Sequence, residues 1–326
     1  MPTSYLHLPR PPLHCSKSIY ILCTMRQHLL LAAALLFTCA SAALPELLQI
    51  DWRRLPDIPA QGPLLQGFQD SDGGFLDDDI VLTAFGYSGG SIPGFLNTAY
   101  IYNISSSNLA ANDAAGAKGG TSWTALPPAP VSGRQEVGAS IIDGDAYFVG
   151  GFSYSPPFTY TDVLRLHRGA AAPAPAASGA TATATATAPL AQQASSAAWT
   201  WSALPPLPYP LCSMGVASVG SRLYVFGGAD YDAKAFYVFA DRAGGNVGLG
   251  RRLLVLDTKN TTGGWRRLPD LDAEGAPRFV HAFSSVGSQL LVIGGAVSNG
   301  SSVVDNWAFD TAMETWERLP DLPISR

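Results

Sequence analysis

The stretch Gln289-Leu-Leu-Val-Ile-Gly294-Gly295, followed by Trp307-Ala-Phe-Asp310 and then Trp316-Glu-Arg-Leu-Pro-Asp-Leu-Pro, decides how the rest of the chain is read. An apolar run ends in a glycine pair, a second short run ends in Asp, and a Trp-x-x-Leu-Pro motif closes the unit. Apolar, β-branched and aromatic runs bounded by Gly, Asp and Pro are the chemistry of strands and turns. The order recurs upstream. Asp145-Ala-Tyr-Phe-Val-Gly150-Gly151 and Arg222-Leu-Tyr-Val-Phe-Gly227-Gly228 repeat the first part, and Asp79-Ile-Val-Leu-Thr-Ala-Phe-Gly86 is a degenerate version of it. Ala99-Tyr-Ile-Tyr-Asn103, Val163-Leu-Arg-Leu-His167 and Leu253-Leu-Val-Leu-Asp257 repeat the second. The third part recurs as Trp52-Arg-Arg-Leu-Pro, Trp123-Thr-Ala-Leu-Pro, Trp201-Ser-Ala-Leu-Pro and Trp265-Arg-Arg-Leu-Pro. Each part has a physical task. The glycines let the backbone turn at φ values that other residues resist, Trp offers a large apolar plate to a neighbour, and Pro ends an outer strand.

Strand, strand with a Gly pair, strand with a terminal Asp, then Trp-x-x-Leu-Pro resembles the kelch repeat, four antiparallel strands that make one propeller blade. The resemblance spans residues 51–326 and implies an all-β propeller. Four complete blades are expected at about 60–130, 131–208, 209–272 and 273–323. The motif at Trp52 is an orphan fourth strand with no three strands before it. Two architectures suit it: a six- or seven-bladed ring that continues past Arg326, or a four-bladed ring with a spare strand.

Successive motif tryptophans are 71, 78, 64 and 51 residues apart, and only the last matches a bare repeat of about 50. An Ala/Thr/Pro-rich segment at about 169–198 explains one excess; it has little to bury and reads as a disordered insert. A smaller Ala/Gly-rich insert follows Asn108, and Ala229–Arg252 expands the second-to-third loop of blade three. Antiparallel alternation sorts the loops. Two–three and four–one connections share one face, called here the first face, and one–two and three–four connections share the second.

Ahead of the repeats, Arg26 precedes an apolar run from Leu29 to Phe37 and the small residues Ala40-Ser41-Ala42. That is the form of a signal peptide over 25–42, with 1–24 a mis-assigned extension and Met25 the expected start. The apolar run is shorter than the ~20 residues of a membrane span. Secretion is therefore expected, and membrane anchoring only if the segment stays uncleaved. Removing 1–42 takes Arg10, Lys17 and Arg26, so 17 basic and 25 acidic residues remain and the net charge moves from −5 to −8. Three of the four cysteines go with it, which leaves Cys212 and no internal disulfide. The sequons at Asn103, Asn260 and Asn299 agree with secretion.

An acidic chain without a basic run is not expected to bind nucleic acid. His167, His281 and Cys212 are too few for a metal site, and no cofactor fingerprint appears, so neither metal nor cofactor is expected. The candidate residues lie on the first face. Arg134 and Arg278 each stand sixteen residues before the first Gly of a pair. They suit either a ligand carboxylate at the channel mouth or hydrogen bonds to neighbouring carbonyls. Glu136 and His281 follow them as polar neighbours or core groups. Tyr154, Tyr160, Tyr231, Phe236 and Tyr237 crowd two first-face loops, a composition favoured at recognition surfaces.

Two functions follow. The first is a secreted binding or scaffold module that presents these loops to a protein or glycan, with no catalytic residues. The alternative is a carbohydrate-active enzyme. Gly133–Gly151 resembles the corresponding blade of sialic-acid mutarotases, which are secreted kelch propellers, and that resemblance implies arginines gripping a sugar carboxylate. Where it also implies a carboxylate base after a second-strand turn, this chain reads Gly294-Gly295-Ala296.

Overall fold

A computed structural model describes residues 55–58, 68–88, 94–115, 123–169, 199–230, 249–272, 274–297 and 301–323. The segment read as a signal peptide, Trp52, the body of the segment read as an insert at 169–198, Tyr231, Phe236, Tyr237 and Asn299 lie outside them. The rest is nearly all β. In chain order the strands are β1 (Phe68–Gln69), β2 (Asp72–Phe75), β3 (Ile80–Ala84), β4 (Tyr87–Ser88), β5 (Gly94–Phe95), β6 (Ala99–Asn103) and β7 (Thr124–Leu126). Then come β8 (Gly138–Ile142), β9 (Asp145–Val149), β10 (Val163–Arg168) and β11 (Trp199–Ala203). The third set is β12 (Gly215–Val219), β13 (Arg222–Phe226), β14 (Leu253–Asp257) and β15 (Arg266–Arg267), and the fourth is β16 (Ala282–Val286), β17 (Gln289–Ile293), β18 (Asn306–Asp310) and β19 (Thr315–Leu319). Four antiparallel sheets of four strands result, β2-β3-β6-β7, β8-β9-β10-β11, β12-β13-β14-β15 and β16-β17-β18-β19. Sequential order within each sheet is what short turns between neighbouring strands produce.

The first strands of successive sheets lie side by side, β2 by β8, β8 by β12 and β12 by β16. The sheets therefore stand as blades around a common centre. Period-two alternation then buries both sheet faces. In β13, Leu223 and Val225 pack with Tyr147 and Val149 of blade two. The intervening Tyr224 and Phe226 pack with Leu290, Val292, Trp307 and Phe309 of blade four. Leu82 and Phe85 meet Phe148 and Leu166 in the same way between blades one and two.

The recurring motifs stitch these seams. Each motif Trp donates its indole N–H to the carbonyl of the motif Pro one blade back: Trp201 to Pro127 at 2.8 Å, Trp265 to Pro205 at 2.8 Å and Trp316 to Pro269 at 2.9 Å. Trp123 does the same to Pro56 at 2.9 Å, and Leu55 is buried beside Tyr102 and Trp123. Leu55 and Pro56 thus stand toward blade one as each outer strand stands toward the next blade. The glycine pair works at the same seam. The second glycine N–H donates to the following blade, Gly86 to Arg134 at 2.8 Å, Gly151 to Leu211 at 2.9 Å and Gly228 to Arg278 at 3.1 Å. Gly227 has φ 64, and a Cβ there would stand 2.6 Å from the Arg278 carbonyl oxygen. In blade one Phe85 takes this left-handed place at φ 61, and its ring packs on Phe148 and Trp201.

Two elements differ from the sequence reading. The stretch that leads into the insert after Asn108 winds into a helix, α1 (Ser106–Ala115), because its Ala-rich composition favours helix once a turn starts it. On the first face, β1, β4 and β5 form a separate three-stranded sheet. Its counterparts in the other blades are single bridges, Gln135 with Phe152, Cys212 with Ala229 and Phe279 with Ala296.

Candidate functional site

The first strands begin at a depression of about 330 Å³ on the first face, which all four blades line. Two residues before each of these strands the chain makes the same unusual turn. Asp70, Glu136, Ser213 and Val280 all have positive φ, at 51, 56, 51 and 45°. A non-glycine residue there costs about 1–2 kcal/mol, so four equivalent cases mark a feature of the fold. Backbone bonds link three of them around the centre: the Ser213 N–H donates to the Glu136 carbonyl at 3.2 Å, and the Val280 N–H to the Ser213 carbonyl at 3.0 Å. All four line the depression, with Asp72 and His281 beside them. The Ser213 hydroxyl donates to the Glu136 carboxylate. Among the described residues the lining holds acids, two serines and a histidine, and no Lys or Arg.

The two arginines are used elsewhere. Arg134 is 2% exposed; it donates to the Gly150 carbonyl at 3.3 Å and to the Asp162 carboxylate at 2.7 Å, and its guanidinium lies 3.7 Å from the Tyr160 ring centre. Arg278, 1% exposed, donates to the Gly294 and Asp305 carbonyls at 3.0 and 2.9 Å and pairs with the Asp305 carboxylate. Both span the same sixteen residues to the first glycine of the pair. Of the two uses open from sequence, the geometry has both guanidiniums on carbonyls and acids of their own blades. Burial pulls the Arg278 guanidinium below its usual value, and the Asp305 carboxylate opposes that.

His281 is wedged at the seam of blades three and four. Both ring nitrogens are buried without a hydrogen-bond partner, and the ring stands edge-on to Phe226, centroids 5.1 Å apart. Burial, and then the Arg278 charge, hold its pKa down to about 3, so the ring is neutral at physiological pH. Burial and the Glu136 charge raise the Cys212 thiol well above its ordinary value, which favours the protonated thiol over the thiolate.

The same face carries an aromatic group in the second-to-third-strand connections of blades one and two. Tyr154 meets Phe95 at 4.9 Å, Phe152 at 5.3 Å and Tyr87 at 6.0 Å between ring centres, all edge to face, and it is 46% exposed. Tyr160, the other described aromatic candidate, is tied down: its hydroxyl meets Ser153 at 2.7 Å beneath Arg134. Sequence reading missed Asp70, Asp72, Ser213, Tyr87 and Phe95. Asp70 and Ser213 share a place two residues before the first strand, but not a residue type, and Tyr87 and Phe95 lie in the small sheet of blade one.

The second face carries a larger cavity, about 650 Å³, lined by Asp143, Asp145, Arg165, His167, Arg168 and Lys259 among others. Its charges neutralise one another: Asp145 bonds Arg165 and His167, Lys259 meets Asp143 at 3.3 Å, and Arg168 meets Asp77 at 3.7 Å. Among the described residues no group of three or more His, Cys, Asp or Glu is placed to hold a metal ion. No described helix is long and apolar enough to cross a membrane.

Blades of four antiparallel strands, joined edge to centre by their first strands, define a β-propeller. A family profile described as the Kelch motif matches residues 277–323. A solved structure titled "Structure of YjhT" superimposes with a TM-score of 0.52 at 16% identity, covering 82% of this chain and 68% of that one. No curated protein matches by sequence. The chain therefore has a β-propeller fold, with a kelch motif matched at residues 277–323.

Proposed function

We propose that this protein is a secreted binding module whose first face receives a protein or glycan partner. The observation that carries the reading is the exposed Tyr154, standing on Phe95, Phe152 and Tyr87 on the same face as a depression lined by Asp70, Asp72, Glu136 and Ser213. A rigid aromatic plate on one face with carboxylate and hydroxyl acceptors suits sugar hydroxyls, or the cationic side chains of a partner protein. The same lining argues against a carboxylate ligand gripped by Arg134 and Arg278, because both guanidiniums are buried and paired. The leader over 25–42 supports secretion.

The test is capture by full-length protein on an array of neutral, amino and sialylated glycans, together with cross-linking to cell-surface proteins. We expect saturable capture of one class. Tyr154→Ala should weaken it about ten-fold, equivalent to ~1.4 kcal/mol, with the melting temperature unchanged. Accelerated anomer exchange of sialic acid, read by proton NMR, with no capture that depends on Tyr154, would overturn the reading.

A further inference from the structure

The third-to-fourth-strand turns are built alike, and one substitution among them changes the chemistry on offer. In blade four, Asp310 ends the third strand and its carboxylate accepts the backbone N–H groups of Ala312 and Met313 at 2.8 and 2.9 Å. Asp257 does the same in blade three for Lys259 and Asn260 at 3.0 and 3.3 Å. Blade one has Asn103 at this place, and its Oδ1 accepts the Ser105 N–H at 2.8 Å. Asn retains the capping oxygen that Asp supplies, but adds an amide nitrogen. With Ser105 two residues on, it completes a sequon. Asn103 is exposed, and its Nδ2 is uncommitted among the described residues. Asn260 lies in the equivalent turn of blade three. It is exposed too, and its Oδ1 accepts the hydroxyl proton of Thr262, which completes a second sequon. Both turns belong to the second face.

We propose that Asn103 and Asn260 carry N-linked glycans that cover the rim of the second face; this rests on the secretory routing proposed above, not on first-face binding. The donor is an oligosaccharide linked to a lipid pyrophosphate. A bond forms between sugar C1 and the Asn Nδ2, and the bond from C1 to the pyrophosphate oxygen breaks. The lipid pyrophosphate leaves with that electron pair, and the amide nitrogen gives up one proton. The fold tolerates both products, since each side chain leaves the surface at a turn and buries nothing. A glycan on Asn260 stands next to Thr258 and Lys259, which line the 650 Å³ cavity. It turns that face away from protein partners and leaves the first face open.

Full-length protein produced in cultured eukaryotic cells and recovered from the medium tests this directly. The glycans are removed enzymatically in heavy-oxygen water and the peptides are sequenced by mass spectrometry. We expect a label on Asn103 and Asn260. Asn103→Asp should lose one glycan while secreting at an unchanged level, because Asp already caps this turn in blades three and four; Thr262→Ala should lose the other. Secreted protein with both asparagines unlabelled overturns the glycan proposal and leaves the routing standing. A chain that never enters the secretory route overturns both. Neither readout needs a binding partner, so the fate of the first-face reading is decided separately.

Discussion

Blades two and four reach the centre through the same backbone with their polarity exchanged. Blade two reads Arg134-Gln-Glu136-Val137 and blade four Arg278-Phe-Val280-His281. Arg134 and Arg278 make equivalent bonds, and Glu136 and Val280 share the left-handed turn. Yet blade two turns a carboxylate to the depression and buries Val137, whereas blade four exposes Val280 at 60% and buries the nitrogens of His281. The frame is therefore set by the arginine and the turn. The two side chains that follow vary without disturbing it, which separates the scaffold from whatever the depression recognises.

The arginine carries the largest expected effect. Arg278→Met removes a guanidinium with no exposed side-chain area and strands Asp305, itself only 15% exposed. Losing one partner of a buried pair costs about 3–5 kcal/mol, and the 2.6 Å bond from the Trp307 indole to Asp305 favours the lower end. Arg134→Met should cost less than half of that, because Asp162 is 42% exposed and regains water. Urea denaturation of the two variants side by side measures the difference; equal losses would break the comparison at its root.

His281 gives the next effect, and its sign is fixed. Its folded pKa of about 3 lies below the ordinary 6.5, so the unfolded chain binds a proton that the folded chain refuses. The contribution to stability is complete above pH 6.5 and is lost as pH falls from 6.5 toward 3, at a slope of up to ~1.4 kcal/mol per pH unit. His281→Val, which copies blade two, should flatten that part of the curve. Melting temperatures at pH 7 and pH 4.5 would show it, and an unchanged pH dependence would remove His281 as the cause.

The smallest effect belongs to the turn. Val280 is β-branched at φ 45 and exposed, so its strain is not offset by burial. Val280→Asn, a residue that tolerates this conformation, should stabilise by about 1 kcal/mol. A loss of stability on calorimetry would mean that the valine side chain holds the turn in a way its exposure does not suggest.

Most of the fold was legible because its signals are local. Gln289–Ile293 announces a strand by its apolar run, and Gly294-Gly295 announces the turn that follows. The helix at Ser106–Ala115 was not, since its Ala-rich stretch is too short to carry a helix without the turn at Asn103 that starts it. The candidate site was legible only in part. Tyr154 could be placed on the first face by strand alternation, but Asp70 and Ser213 share no residue type with Glu136, and nothing in their side chains marks a common position.

What the amino-acid sequence determined by itself was the repeat: strands, glycine turns and Trp-x-x-Leu-Pro punctuation, each dictated by the φ, packing or hydrogen-bonding properties of the residue in place. What only the tertiary structure decided was direction. Whether a polar residue near the centre is scaffold or surface depends on a left-handed turn that non-glycine residues do not advertise. Likewise the seam from Trp201 to Pro127 joins groups 74 residues apart, a pairing that exists only once the blades stand next to one another.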